Sequence, residues 1–260
     1  MDAVIEKMYD RIFSSTAAMP EDDWESWYVH KIHSKRAFLG TDGVKNERYY
    51  GLIVESIRRV TRMCFDGSHV IEIGSGSGLA SVFLAMRGAN ATLVDNAAMA
   101  LEYARLNIAS LKRGGCALAP VSCVQSDLFS LPDRMSGGSF DLVQSYGLIE
   151  HFSDEDILRI LDIKKHLAKK GGWILSGVPN FFSPIMMYKW SNGKGNERYL
   201  KKARLISLMK KAGLRDIRVV FLPYVFTEFA PLFMIRALST VEEVLGRIGL
   251  GSMYLCFARK

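Results

Sequence analysis

Val70-Ile71-Glu72-Ile73-Gly74-Ser75-Gly76-Ser77-Gly78 decides how this chain is read. His69 to Ile73 is a short apolar run that stops at glycine, which predicts a buried strand. The glycines that follow let the backbone turn sharply and let a ligand come close to the main chain. A helix predicted over Leu79 to Arg87 comes next, and its first N–H groups have no carbonyl partner within the helix. A dinucleotide fingerprint needs G-x-G-x-x-G, but the sixth position is Leu79 counted from Gly74 and Ser81 counted from Gly76. The spacing is instead G-x-G-x-G, with Glu72 two residues ahead. An acid beside the turn disfavours a pyrophosphate and suits a ligand that carries positive charge.

The alternation continues outward from this turn. Ala91 to Asp95, Val121 to Gln125, Phe140 to Ser145 and Trp173 to Val178 read as strands. Between them, Ala97 to Leu111 reads as a helix stopped by Lys112-Arg113-Gly114-Gly115. Another helix starts at Ser153, with Asp156 three residues on as a capping box, and stops at Lys169-Lys170-Gly171-Gly172. Strands alternating with helices predict an α/β, Rossmann-like doubly wound sheet covered on both faces. Upstream, Val4, Met8 and Ile12, and again Ile53, Ile57 and Val60, recur at helical spacing, so residues 3–63 read as helices. Downstream come a helix ending at Gly213, a strand over Ile217 to Leu222, a mostly helical stretch over 228–247 and a strand over Met253 to Phe257. The expected organisation is an N-terminal helical lid over 1–66 and a catalytic domain over 67–260, with substrate-side insertions at 180–197 and 222–250.

Composition narrows the class. The 260 residues are 49% hydrophobic and 23% charged, which excludes a disordered or low-complexity chain. Cys64, Cys116, Cys123 and Cys256 form no CxxC pair, so reduced thiols are expected rather than a disulfide framework or a zinc site. The start has no apolar core of a secretory signal, and the longest apolar run, Val219 to Ile235, is broken by Pro223, Glu228 and Pro231. A cytoplasmic protein is the expectation. The net charge is +7, and Lys189 to Arg218 holds ten basic residues against Glu197 and Asp216. Those charges scatter around the helical axis, which reads as a solvated helix rather than a nucleic-acid stripe.

Two further acids end strands. A carboxylate at Asp95, 17 residues beyond Gly78, suits both hydroxyls of a ribose. A carboxylate at Asp127, after Ser126, suits an exocyclic amine such as that of adenine. Together with Phe140-Asp141-Leu142-Val143 leading to Glu150-His151-Phe152, these motifs occur in order over roughly residues 68 to 180, and the chain resembles the class I S-adenosylmethionine-dependent methyltransferases. The resemblance implies a seven-stranded sheet whose last strand is antiparallel, and S-adenosylmethionine as cofactor. It implies the glycine turn against the methionine part, Asp95 on the ribose, and Asp127 on the adenine amine with Leu128 beside it. The expected cofactor set is Glu72, Gly74, Ser75, Gly76, Gly78, Asp95, Asn96, Asp127, Leu128 and Ser145.

Methyl transfer needs a nucleophile held in line with the S–CH3 bond at roughly 3–3.5 Å, and a base only if that nucleophile carries a proton. His151, with an ordinary pKa near ~6.5, is the candidate base, with Glu150 beside it. Leu148-Ile149-Glu150-His151 also resembles the quinone-pathway O-methyltransferases, in which a Glu three residues before the Glu-His pair helps bind a divalent metal. Gly147 stands at that position here, so no metal is expected. Trp24, Tyr28, Phe181, Tyr188, Tyr224 and Phe233 are among the aromatics left for an acceptor pocket, which suits a small apolar or aromatic molecule. His30, His33 and Arg36 are expected near the cofactor mouth. The alternatives are a nucleic-acid or protein methyltransferase, against which stands the lack of a [DNS]-P-P-[YFW] motif after the fourth strand, and a non-catalytic scaffold. The stretch Val219 to Phe233 allows a membrane-surface contact, and either a monomer or a homodimer is expected.

Overall fold

The computed structural model describes residues 23–33, 43–191, 199–227 and 230–260. Its centre is a seven-stranded sheet of order β3-β2-β1-β4-β5-β7-β6. The strands are β1 (His69–Ile73), β2 (Asn90–Asp95), β3 (Val121–Gln125), β4 (Phe140–Tyr146), β5 (Ala168–Pro179), β6 (Arg215–Leu222) and β7 (Met253–Arg259). β1 to β5 pair in parallel, and β7 pairs antiparallel with both β5 and β6. The closing antiparallel strand is the one expected from the sequence, extended to Arg259.

Nine α-helices are described: α1 (Asp23–His33), α2 (Gly43–Thr61), α3 (Leu79–Ala85), α4 (Ala98–Arg113), α5 (Leu131–Arg134), α6 (Asp154–Leu167), α7 (Pro184–Ser191), α8 (Lys202–Lys211) and α9 (Ile235–Arg247). Ile53, Val54, Ile57 and Val60 of α2 and the buried α3 cover one face of the sheet, meeting Leu142, Leu175 and Phe257. Ile157, Ile160 and Leu161 of α6 with Leu205 and Leu208 of α8 cover the other, meeting Val143, Ile174 and Cys256. The alternation of facing residues along β4, β5 and β7 is what a sheet buried on both sides requires.

Several boundaries differ from expectation. The helix after the glycine turn stops at Ala85 instead of Arg87, because Gly88 at φ 95° lets the chain reverse and lets Ala89 N–H donate to Leu84 O at 3.2 Å. Lys112 and Arg113, expected as part of a stop, are the last turn of α4, with Gly114 just beyond. The Lys169-Lys170-Gly171-Gly172 segment, expected to stop a helix, belongs to β5: Ala168 is extended and pairs with Phe140, and Gly171 at φ 73° takes up the irregularity before Trp173 pairs with Leu142. Of the stretch 228–247, residues 228 and 229 lie outside the described residues, a 3₁₀ turn spans Leu232–Met234, and α9 follows. The expectations for residues 3–22, for 34–42 with Arg36, and for 192–197 also lie outside the described residues, as do the side chains of His30 and His33.

Candidate active site

The carboxyl ends of β1, β2 and β4 bring the candidate residues to one edge. β1 ends in the glycine turn, where Gly74, Gly76 and Gly78 stand at φ 64°, 50° and 67°. These are left-handed conformations that favour glycine, and space excludes a side chain as well. A Cβ on Gly74 would come within 2.8 Å of Leu148 Cδ1, and one on Gly78 would strike Leu93. The turn is closed by Gly78 N–H donating to Ser75 O at 2.7 Å and is tied to β2 by Ser75 N–H donating to Val94 O at 3.0 Å. The Ser75 hydroxyl is buried with no hydrogen-bond partner, an orphaned donor inside the turn.

Asp95, at the end of β2, holds the turn in place. Its Oδ2 accepts from Gly76 N–H at 2.8 Å and its Oδ1 from Ala97 N–H at 3.0 Å. Burial pushes its pKa up, and those N–H donors oppose the rise. Asn96 is exposed, and its carbonyl accepts from Gln125 Nε2 at 3.1 Å.

Glu72 lies beneath the turn, 4% exposed. Its Oε2 accepts from Ser81 N–H at 3.0 Å, at the start of α3. Burial pushes its pKa up to about 7. From Ser81 a hydrogen-bonded chain crosses to β4: Gln144 Nε2 donates to Ser81 Oγ at 2.8 Å, and Tyr146 O–H donates to Gln144 Oε1 at 2.8 Å. Such a fully connected buried network fixes the spacing of β1 and β4 under the ligand edge.

Asp127 is exposed after β3, and its Oδ1 accepts from Phe129 N–H at 2.8 Å, capping a 3₁₀ turn that begins at Leu128. Its second oxygen remains for another donor. Ser145 is 1% exposed and accepts from Lys164 Nζ at 2.6 Å. Lys164, fully buried on α6, also donates to Leu175 O and Ser176 Oγ, each at 2.9 Å. Burial lowers its pKa to about 7, and Glu150 works against that. Glu150 is itself fully buried, under Gly147. His151, beside it, is exposed to solvent. Partial desolvation of its ring lowers its pKa, opposed by a hydrogen bond to the Gly147 backbone.

The N-terminal α1 spans this edge. Trp24 meets the His151 ring edge-on at 6.0 Å, and the Glu25 carboxylate accepts from Met99 N–H at 3.2 Å, in the first turn of α4. Tyr28, 9% exposed, reaches Gly76 and tilts against Tyr103 at 6.0 Å. Tyr28 was expected in the acceptor lining; its hydroxyl instead sits at the glycine turn. Glu25, Gln144 and Lys164 were not anticipated. For Lys164 a signal existed, since it occupies the apolar face of α6 defined by Ile157, Ile160 and Leu161. Among the described residues no group of three or more His, Cys, Asp or Glu is placed to hold a metal ion.

A sheet of this order, with acids at the strand ends around a G-x-G-x-G turn, defines a Rossmann-like methyltransferase fold. Residues 70–172 match a family described as a methyltransferase domain. The chain is 32% identical over 117 residues to a ubiquinone biosynthesis O-methyltransferase of Chromobacterium violaceum, covering 44% of this chain and 45% of the relative. It is 27% identical over 164 residues to the ubiquinone biosynthesis O-methyltransferase of Xylella fastidiosa, covering 59% and 63%. The chain thus spans about half to three-fifths of the length of these curated relatives. In fold it is similar to magnesium protoporphyrin IX methyltransferase of Synechocystis PCC 6803, with a TM-score of 0.58 at 15% identity over 100% of both chains. A SAM-dependent methyltransferase of Archaeoglobus fulgidus gives 0.55 at 18% identity, over 85% of this chain and 100% of that one. Residues 70–172 thus carry a methyltransferase domain, and the whole sheet has the fold of S-adenosylmethionine-dependent methyltransferases.

Proposed function

We propose that this protein transfers the methyl group of S-adenosylmethionine to an O, N or C atom of a small apolar or aromatic acceptor. The observation that carries the reading is the convergence at one edge of Asp95, the Gly74 to Gly78 turn and Glu72, with His151 at the next strand end under α1. When bound, the cofactor supplies an activated methyl on a sulfonium. The orphaned Ser75 hydroxyl fits a ligand at the turn. The carboxylates of Asp95 and Glu72 favour its cationic amine and sulfonium, and Asp95 and Asp127 would hold the ribose and the adenine amine. Asn96 and Leu128 would line the nucleoside, while Ser145, held by Lys164, would shape the seat from behind. The relatives named as ubiquinone biosynthesis O-methyltransferases support an oxygen atom as the methyl acceptor.

For a hydroxyl acceptor, His151 would take the proton, since it is reachable from solvent and its pKa lies below the ordinary value. Glu150 would act through Gly147 and Lys164, positioning the His151 turn rather than touching the acceptor. Gly147, where the quinone-pathway enzymes carry a carboxylate, supports a reaction without a divalent metal. The described residues contain no helix long and apolar enough to cross a membrane, and a cytoplasmic location fits the thiols.

Calorimetric titration with S-adenosylmethionine and S-adenosylhomocysteine, beside Asp95→Ala, tests the cofactor site. The wild type binds both in the micromolar range, and the variant loses at least about tenfold, or ~1.4 kcal/mol. Labelled methyl should then pass into small molecules of an extract. Label entering only the RNA or protein fraction would overturn the acceptor class, and no binding at all would leave a scaffold.

A further inference from the structure

The edge that carries the candidate site continues beyond it. β6 runs in the same direction as β5, because both are antiparallel to β7. Leu222 therefore ends β6, and Met253 begins β7, on the edge where β1, β2 and β4 end. The connection between them carries α9.

α9 is locked in its rotation about its own axis. Its fully buried Glu242 accepts N–H bonds from Val225, Phe226 and Thr227 at 2.7, 2.7 and 2.8 Å and pairs with Arg48 at 2.8 Å. Beyond its end, Asn180 Nδ2 donates to Gly249 O at 2.9 Å and Gly251 O at 2.7 Å. The opposite face cannot roll inward, and it is apolar. Phe233 is 84% exposed, Met234 40%, Val241 49%, Val244 53% and Ile248 65%. Positions 234, 241, 244 and 248 fall on one helical stripe, with Phe233 at its N-terminal end. Contiguous exposed apolar surface on a soluble protein marks an interaction site.

Charge decides what covers it. Arg236 and Arg247 lie along one side of the stripe, both exposed. Past Ile248, Gly249 lies against the Phe221 ring, and Lys202 Nζ sits 5.2 Å from the centre of that ring. Lys201 and Lys202 stand at the start of α8, on this same edge, because Tyr254 O–H donates to Leu200 O at 2.7 Å. Opposing them on α9 is the exposed Glu243. An apolar stripe with basic shoulders suits an anionic bilayer, into which such a helix buries its apolar face roughly 5–10 Å. A second copy fits less well. It would bring the same arginines face to face across a two-fold axis, and a stable dimer needs about 800 Å² per partner.

We propose that Phe233, Met234, Val241, Val244 and Ile248 form the surface by which this protein rests on an anionic lipid bilayer, with the ligand edge toward the lipid. The lipid contact stands by itself. Its use, to meet an apolar acceptor at the membrane, rests on the proposed methyl transfer.

The test is co-sedimentation of the full chain with vesicles of phosphatidylglycerol and phosphatidylcholine in equal parts, against pure phosphatidylcholine. Val241→Asp with Val244→Asp, and separately Phe233→Ser, change exposed positions and should leave the melting temperature in place. The wild type is expected to bind the anionic vesicles, more weakly as salt rises. The double variant should lose on the order of tenfold or more, since an interfacial helix binds in proportion to its buried apolar area. Wild-type protein that stays in the supernatant, or binding that survives both variants, would overturn the proposal. So would a wild-type dimer in light scattering that the double variant splits, because a second copy would then be the occupant. S-adenosylhomocysteine affinity, measured on the same samples, should not move. If the wild type binds vesicles but not that ligand, the methyl-transfer reading fails and the lipid contact remains.

Discussion

The hydroxyl of Tyr28 fills the space that a side chain on Gly76 would need. The two residues lie far apart in sequence, and their contact is what seats α1 on the glycine turn. Tyr28 faces Asp95 and Glu72 from there, and burial foremost, then Asp95, raises its pKa well above the ordinary value.

Gly76→Ala should therefore cost stability twice. At φ 50° an L-residue pays roughly 1–2 kcal/mol, and the new methyl collides with Tyr28. Pairing it with Tyr28→Ala should relieve the collision and leave the backbone strain. Melting temperatures of the four proteins in that cycle read the coupling, and strict additivity would mean that α1 does not sit on the turn.

Glu72 and Lys164 should give stability opposite slopes on either side of neutral pH. The Glu72 pKa rises on folding from 4.5 to about 7, so between those values the folded chain holds a proton that the unfolded chain has lost. Stability then falls as pH climbs through that window, by about 3 kcal/mol at most, and Glu72→Gln should flatten the fall. The Lys164 pKa drops from 10.5 to about 7, so between those values the unfolded chain holds the extra proton. Stability should rise with pH there, and Lys164→Met should remove the rise. Urea unfolding from pH 5 to 10 measures both.

Glu242→Ala should be among the most damaging single changes. It leaves three backbone N–H groups, the Thr227 hydroxyl and Arg48 without their acceptor. A loss of about 3–5 kcal/mol is expected in chemical unfolding. Glu242→Gln, which keeps one acceptor oxygen, should lose less.

His151→Ala should separate chemistry from cofactor binding. With a hydroxyl acceptor, kcat should fall about 10²- to 10⁴-fold while S-adenosylhomocysteine affinity stays within a factor of two. Chelating divalent ions should leave the wild-type rate unchanged. A rate restored only by added magnesium would contradict the role argued for Gly147.

Ser153→Ala should cost about 1 kcal/mol, because the Ser153 hydroxyl both accepts from Asp156 N–H at 3.1 Å and bonds the Asp156 carboxylate at 2.7 Å. Thermal unfolding checks this.

What the sequence determined by itself is local or periodic. Alternating buried strands and amphipathic helices specified the doubly wound sheet, because burying a β-strand on both faces demands apolar runs such as Val70 to Ile73. The glycine turn and Asp95 were legible for the same reason: left-handed backbone demands glycine, and a strand's end is marked by its own residues. The cap at Ser153 is likewise short-range. Tertiary structure alone decided which distant groups meet. Only folding brings Tyr28 onto Gly76, Glu25 onto Met99, Lys164 between Ser145 and Ser176, and Glu242 into the 225–227 turn. No spacing in the chain encodes those contacts. Each depends on how helices pack across the sheet, and a side chain's partner there is set by the shape and polarity of the space left to fill.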